Sequence, residues 1–461
     1  MSQRRRVAVV GSGISGLAVA HGLAGDAQVT LFEAGTYFGG HTNTVDVHLD
    51  GVTHGVDTGF LVLNGRTYPE LLKLFAQLGV DIAKSDMSFS VQVPDQRLEW
   101  SGSDLGTVFA QRRNLLRPAF WRMLADVLRF NRLATALAVQ SAAGTTGSAP
   151  GATALDQPIG EFLDQHRFST EFRDWYFLPM IGCIWSCPTD QMLRFPVATM
   201  IRFCHNHGLI QVANRPQWYT VRGGARQYVQ KMLRAIPDAR LNAAVRSVRR
   251  VPAGAGAVGR AASVEVSTDA GTERFDDVVL ACHSDQSLAL LADPTAQERA
   301  TLGAVRYHRN RAVLHTDTSM LPQRRLAWAA WNYERAAAGS REQAAVCLHY
   351  LINRLQPLPF KTPVLVSLNP LTEPRADTVH AEFDYAHPVF DAAAIAAQRQ
   401  VPALQGRART WFCGAWTRYG FHEDGLVSGL AVVEALKARW AGEGGAARVE
   451  PAEPVPVVEA A

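Results

Sequence analysis

Residues 6–33 read RVAVVGSGISGLAVAHGLAGDAQVTLFE. The run 6–10 has the unbroken apolar character of a buried parallel strand. A glycine loop follows, then a helix over about Ile14–Leu23 and a second strand over 28–33, which makes a βαβ unit. Gly11, Gly13 and Gly16 fit the G-x-G-x-x-G spacing, with Ser12 and Ser15 between them. The first glycine allows the tight turn, the second lets a pyrophosphate approach the backbone, and the third lets helix and strand pack closely. Free N–H groups at the helix start would face the phosphates. Glu33 closes the second strand 20 residues after Gly13, where an acid can accept hydrogen bonds from ribose hydroxyls. A glycine-rich turn that binds nothing would need neither the flanking strand and helix nor this acid. Arg4, Arg5 and Arg6 ahead of an apolar run also resemble a leader peptide, but Gly11, Ser12, Gly13, Ser15 and Gly16 interrupt the run.

NAD and FAD sites share this half, and three further segments favour FAD. Tyr37–Thr44 reads YFGGHTNT, where Gly39 and Gly40 let the chain pass close to a cofactor beside His41 and Thr42. Gly55–Phe60 reads GVDTGF, a second small-residue turn with Asp57, Thr58, Gly59 and Phe60. Near the end, Trp411–Leu436 reads as a strand delivering Gly414, then a helix opened by Gly425 and Leu426. A helix N-terminus there would stabilise negative charge on a reduced flavin.

A chain of 461 residues exceeds one compact core. Strand-like segments lie at both ends and over 241–282, with long helical or mixed stretches between. The expected fold is therefore α/β, with α+β character in the substrate domain. A split Rossmann-like FAD-binding domain (1–85, 215–300 and 405–440) is interleaved with a mixed-sheet and helical substrate domain (86–214 and 301–404). The low-complexity stretch 141–153 reads as a loop and 441–461 as a disordered tail. The six cysteines lack C-x-x-C spacing, which fits a reduced cytoplasmic setting. Cys183 and Cys187 form the nearest pair and read as structural thiols. No uninterrupted apolar run is long enough to span a bilayer, and a net charge of +4 does not point to nucleic acid.

The order of these motifs resembles the flavin-containing amine oxidase superfamily over about residues 5–440. FGGHTNTVDV, VDTGFLVLN, NHGLI, RPQWYTVRGGARQYV and FCGAWTRYGFHEDGL resemble one bacterial branch more closely. Its members are predicted NAD/FAD-binding proteins associated with cyclopropane-fatty-acid synthase-like methyltransferases and with modification of acyl chains. The resemblance implies that Val245 touches adenine through its backbone and that Arg222, Gly223 and Gly224 lie near the flavin. The chain departs from the superfamily where Ala415, not an acid, follows Gly414. Asp424 or Glu423 would have to substitute. No clear counterpart of the flavin-linking cysteine is present, since Cys413 precedes the glycine, so FAD is expected to be non-covalent.

Flavin chemistry needs a substrate C–H held close to the ring with water excluded. Neither G-x-S-x-G nor H-E-x-x-H occurs. WTRYGFHEDG places Trp416, Tyr419, Phe421 and His422 beside the expected flavin. Trp185, Trp331 and Tyr333 are further pocket candidates. His422 is the candidate proton-handling group, because imidazole titrates near neutrality. His205 and His207 read as structural or pocket residues, and no metal site is expected. Lys361 could face the flavin as the lysine of amine oxidases does, but reads better as an exposed turn residue. In 112–134, Arg112, Arg113, Arg117, Arg122, Arg129 and Arg132 stand against Asp126. Leu116, Phe120, Trp121, Leu124, Val127 and Leu128 form the expected apolar side. Such a helix can lie on an anionic membrane or pack in the substrate domain with solvated arginines. The leading expectation is an FAD-dependent oxidoreductase that oxidises or desaturates a fatty acyl chain of a phospholipid. It would be cytoplasmic, free or peripheral at the inner membrane face, and a lipid methyltransferase is a candidate partner. The alternatives are a flavin amine oxidase, a redox-neutral double-bond isomerase and a non-catalytic FAD-binding partner.

Overall fold

The computed structural model describes residues 4–142, 157–185, 189–211, 215–254, 262–336 and 346–442. Most of the expected loop 141–153, most of the tail 441–461 and Cys187 lie outside these residues.

Five parallel strands form the sheet that carries the glycine loop. Their order is Asp238–Arg240, Gln28–Phe32, Arg6–Val10, Asp277–Leu280 and Thr410–Phe412. Val7, Ala8, Val9, Val278, Val279 and Leu280 have no solvent exposure, which accounts for their unbroken apolar runs. Helix Ile14–Leu23 lies between this sheet and helix His422–Ala441, and most of its residues are buried. That explains why its sequence lacks an apolar stripe. The helices approach through glycines. A Cβ at Gly429 would stand 2.5 Å from the Ser15 carbonyl oxygen, and one at Gly22 would stand 3.0 Å from Val433.

Seven mixed strands form the second large sheet. Their order is Val379–Val389, Arg306–His315, Leu365–Leu368, Cys347–Leu351, Trp331–Glu334, Phe89–Val93 and Leu98–Ser101. Every pair is antiparallel except Trp331–Glu334 with Phe89–Val93. Helices Ile159–Gln165, Leu178–Trp185, Val197–Asn206 and Pro118–Ala142 belong to the helical portion. An antiparallel trio, Val245–Val251, Ser263–Thr268 and Gly271–Phe275, adjoins the parallel sheet.

Three sequence expectations need correcting. The final helix starts at His422, not Gly425, because Asp424 caps the turn by accepting from the Phe421 N–H at 3.0 Å. The last strand ends at Phe412, ahead of Gly414. The basic segment is not one helix: a 3-10 turn over Arg112–Leu116 breaks at Arg117, and Pro118 starts the long helix. Its apolar residues also split. Phe120, Met123 and Phe130 are buried, whereas Leu116, Trp121 and Leu128 are exposed.

Candidate flavin site

The three glycines of the opening motif do three different jobs. Gly11 has φ +101°, a region L side chains rarely adopt. A Cβ at Gly16 would lie 1.8 Å from the Gly11 carbonyl oxygen, so Gly16 serves helix–strand contact. A Cβ at Gly13 would meet nothing within 4 Å. The fold leaves open space there, at the start of a ten-residue helix whose N-cap is Gly13. Glu33 braces the loop: it accepts from Ser12 N (2.9 Å), Ser12 Oγ (2.5 Å) and Gly35 N (2.7 Å). Ser12 Oγ in turn accepts from Gly39 N at 3.1 Å, which joins the first loop to the Gly39–Gly40 turn.

A single cavity of about 1040 Å³ runs from this loop into the second domain. Of the expected cofactor residues, Gly11, Ser12, Gly13, Ser15, Glu33, Gly39, Gly40, His41, Gly59, Phe60, Val245, Gly414 and Ala415 line it. Its far end is walled by Leu61, Val62, Met87, Phe89, Met180, Phe203, Leu209, Trp218, Trp331, Tyr350, Phe383 and Phe421. Trp416 and His422 also border it.

Several expected contacts are used inside the protein instead. Gly16, Thr42, Asp57, Thr58, Arg222, Gly223, Gly224, Asp424, Gly425 and Leu426 are absent from the lining. Asp57 is buried and accepts from Thr44 Oγ1 at 2.5 Å and from the Ala225 N–H at 2.9 and 3.0 Å. It holds the chain entering helix Arg226–Leu233. Gly224 is glycine because a Cβ would meet Thr44 at 2.4 Å, and the Arg222 side chain is exposed. Thr58 Oγ1 is tied to the Asn43 carbonyl and to Tyr385 OH. Leu426 is buried, and a Cβ at Gly425 would stand 2.8 Å from Ile14. Glu423 does not replace the missing acid either. It accepts from the N–H groups of Glu70 and Leu71 at 2.8 and 2.9 Å and so caps helix Pro69–Leu78. Burial raises Asp57 and Glu423 to about 7 and Asp424 to about 6.

The aromatic candidates separate into two layers. Trp331, Trp416 and Phe421 face the cavity, while Trp185 and Tyr419 do not. Trp185 stands behind Phe203 and Phe421, with ring centroids 4.5 and 6.4 Å away. Tyr333 is buried and also absent from the lining. His207 lines the cavity and His205 does not. Lys361 lies on an exposed turn where its N–H donates to Asp50.

His422 stacks on Phe60 at 3.9 Å, and its Nε2 lies 2.7 Å from Tyr228 OH. Burial, helped by His41, lowers its pKa to about 3, not near neutrality as its residue type had implied. His41, His283 and His387 form a cluster the sequence did not announce. Burial, reinforced by mutual repulsion for His41 and His387, holds them at about 4, 4 and 3. The His41 ring lies 5.2 Å from His387 and 5.0 Å from Tyr385. His387 and Tyr385 come from a strand more than 300 residues later, so no local spacing could have revealed them.

These residues fit FAD. Open space at Gly13 meets a helix N-terminus, Glu33 lies at the adenosine end, and His41 Nε2 is a buried polar atom with no partner. Gly11–Ser15 with Gly39–His41 would hold the pyrophosphate, and Ala243–Val245 would hold the adenine end.

The sequence profile of the family described as flavin containing amine oxidoreductase matches residues 14–315, more than half of the chain. No curated protein sequence matches. Among solved structures, the chain is similar to a CLA-producing fatty acid isomerase from P. acnes. The TM-score is 0.64 at 14% identity, covering 94% of this chain and 99% of that one. Cyclohexylamine oxidase from Brevibacterium oxydans IH-35A gives a TM-score of 0.64 at 17% identity, covering 94% and 100%. A putrescine oxidase bound to putrescine gives 0.64 at 16% identity, covering 94% and 99%. At these identities the likeness speaks for the fold alone.

Proposed function

The chain belongs to the flavin-containing amine oxidoreductase family and is an FAD-dependent oxidoreductase, and from that premise we propose that it acts on the acyl chain of a lipid. The observation that carries this reading is the far end of the cavity. Aliphatic and aromatic side chains wall it, and its imidazoles are uncharged at neutral pH, His207 at about 4 and His422 at about 3. Such a pocket suits an extended apolar chain. Lys361, the residue that the lysine of amine oxidases would need as its counterpart, stands on an exposed turn and does not line the cavity. The motif resemblance to the branch associated with cyclopropane-fatty-acid synthase-like enzymes favours the same substrate class. A fatty acid isomerase of the same fold offers a second reading, double-bond movement without net oxidation.

The chemistry FAD supplies when bound is acceptance of a hydride from a substrate C–H. The residues of this chain orient and exclude. Phe60 and His422 form a stacked pair at the cavity wall, and Phe203 and Phe421 form another, with centroids 4.8 Å apart. Both pairs present apolar ring faces where a substrate chain would displace water. Attachment of FAD is read as non-covalent. The Cys413 thiol is pushed up by burial and lies outside the lining, and Cys282, which borders the cavity, is pushed up to about 11. Protonated thiols are poor nucleophiles.

We also propose that the segment 112–134 meets an anionic membrane surface. Leu116 is 87% exposed, and Trp121 and Leu128 are exposed beside Arg112, Arg113, Arg122, Arg129 and Arg132. Arg122 and Arg129 also pair with Glu171 and Asp126. No helix among the described residues is long and apolar enough to cross a membrane.

Anaerobic mixing of the flavin-loaded protein with vesicles of phospholipid bearing unsaturated or cyclopropane-containing chains tests the reading. Bleaching of flavin absorbance is expected. Bleaching by putrescine or an aryl amine, with none by any lipid, would overturn it. Double-bond movement with no acceptor consumed would select the isomerase reading.

A further inference from the structure

The seven-stranded sheet has a second polar cluster on the face turned away from the cavity. Trp331 and Tyr350 are register partners and line the cavity. Side chains alternate along a strand, so Glu334, Cys347 and His349 project from the opposite face. Glu334 and Cys347 are themselves register partners, and His349 follows two positions later on the same strand. Glu334 Oε2 lies 3.1 Å from His349 Nε2. Cys347 Sγ lies 3.4 Å from that nitrogen and 3.9 Å from the carboxylate oxygen. Among the described residues this is the one group of three such side chains whose ligand atoms all fall within 4.8 Å.

Tetrahedral zinc with bonds of about 2.0–2.3 Å requires ligand–ligand edges of about 3.3–3.6 Å. The three observed separations bracket that range. The imidazole is also held from behind, as metal-ligating histidines are. His349 Nδ1 lies 2.7 Å from Ser367 Oγ, which lies 2.7 Å from His315 Nε2, and His315 Nδ1 accepts from the Asp317 N–H. His349 has no exposure, whereas the Glu334 side chain retains 18%.

We propose that Glu334, Cys347 and His349 bind one Zn²⁺, with water as the fourth ligand on the solvent side of Glu334. One thiolate and one carboxylate balance the charge of the ion, and the proton leaves Cys347 for solvent on binding. Thiolate, imidazole and carboxylate together suit zinc better than magnesium or calcium. The ion would join strands Trp331–Glu334 and Cys347–Leu351, whose other face supplies Trp331 and Tyr350 to the cavity wall.

The test uses the full-length, flavin-loaded protein. After incubation with zinc chloride and dialysis, elemental analysis is expected to find one zinc per chain. Replacement by Co²⁺ is expected to give a thiolate-to-cobalt charge-transfer band that disappears in Cys347→Ser. Glu334→Gln, at the least buried of the three positions, is expected to weaken zinc binding at least tenfold. No zinc above background, a cobalt spectrum without a thiolate band, or a band that survives Cys347→Ser would each overturn the site. If Cys347→Ser does not fold, the wild-type cobalt spectrum and Glu334→Gln decide the matter.

Discussion

The Tyr228 hydroxyl lies 2.7 Å from Nε2 of His422 and 2.5 Å from the hydroxyl of Thr42. This chain keeps His422 engaged and, with its pKa at about 3, neutral at any physiological pH. A neutral imidazole tied to a phenol positions its ring against Phe60 and does not titrate during turnover. The rate of flavin reduction should therefore show no ionisation of His422 between pH 5 and 8. Tyr228→Phe should lower the rate less than tenfold and leave the pH profile unshifted. Stopped-flow reduction across that range checks both. A limb near pH 6.5 that vanishes in His422→Gln would restore His422 as a proton acceptor.

Open space at Gly13 separates cofactor binding from folding. A Cβ there meets nothing in the protein, so Gly13→Ala should change stability by no more than about 1 kcal/mol, the gain through the unfolded chain being opposed by the poorer N-cap. The same methyl would stand where a pyrophosphate must approach the helix start. Affinity for FAD should fall at least tenfold. Gly16→Ala, with its Cβ 1.8 Å from the Gly11 carbonyl oxygen, should damage both properties. Fluorescence titration with FAD, run beside urea unfolding, distinguishes the two variants.

Asp57 gives the converse case. Removing its carboxylate leaves the Thr44 hydroxyl and the Ala225 N–H without their acceptor. Asp57→Ala should cost about 2–6 kcal/mol of stability, since each of the two stranded buried groups costs about 1–3 kcal/mol. FAD affinity of the folded fraction should change less than threefold. A stable Asp57→Ala protein that cannot bind flavin would return Asp57 to the cofactor site.

Buried histidines set the response to acid. Burial holds His41, His207, His283 and His315 at about 4, and His387 and His422 at about 3. Between these values and 6.5 the unfolded chain binds protons that the fold refuses, so their contribution to stability is lost as pH falls from 6.5. Asp57, Glu423 and Asp424 act oppositely. Raised to about 7, 7 and 6, they stabilise the fold below their ordinary range, and that contribution is lost as pH rises towards 7. The six histidines outweigh the three acids. His21, His205, His308 and His380 are lowered by burial as well, so near pH 5.5 unfolding should take up protons on balance. Urea midpoints of the flavin-free chain should therefore rise from pH 5 to 6.5. A flat or falling profile would contradict this balance.

What could be read in the sequence depended on locality. Gly11, Gly13, Gly16 and Glu33 sit in one βαβ unit, where spacing alone fixes geometry. Asp57 and Gly224 do not line the cavity, and their turns misled because small-residue turns look alike whether they face a ligand or a neighbouring turn. In the structure these two hold each other's segments, with a Cβ at Gly224 placed 3.3 Å from Asp57. His387, Tyr385 and the Glu334–Cys347–His349 group depend on strand register across the seven-stranded sheet. Register is a tertiary outcome. Cys347 and His349 are two positions apart on one strand, but the carboxylate opposite is supplied only by register with the neighbouring strand.

The exposed basic segment makes a claim that stands apart from the flavin site. Arg112, Arg113 and Leu116 lie in the 3-10 turn before Pro118, and all three are exposed. Each basic side chain near an anionic bilayer contributes about 1 kcal/mol, and the attraction weakens with salt. Arg112→Glu with Arg113→Glu should therefore reduce partitioning onto phosphatidylglycerol-containing vesicles at least tenfold and leave flavin content unchanged. Leu116→Ser should weaken binding further by removing an apolar anchor that is 87% exposed. Sedimentation with anionic and neutral vesicles at low and high salt measures each effect. Equal partitioning of wild type and the double variant would exclude this face as a membrane surface. The acyl-chain reading would survive that result, because it rests on the walls of the cavity and not on how the lipid arrives.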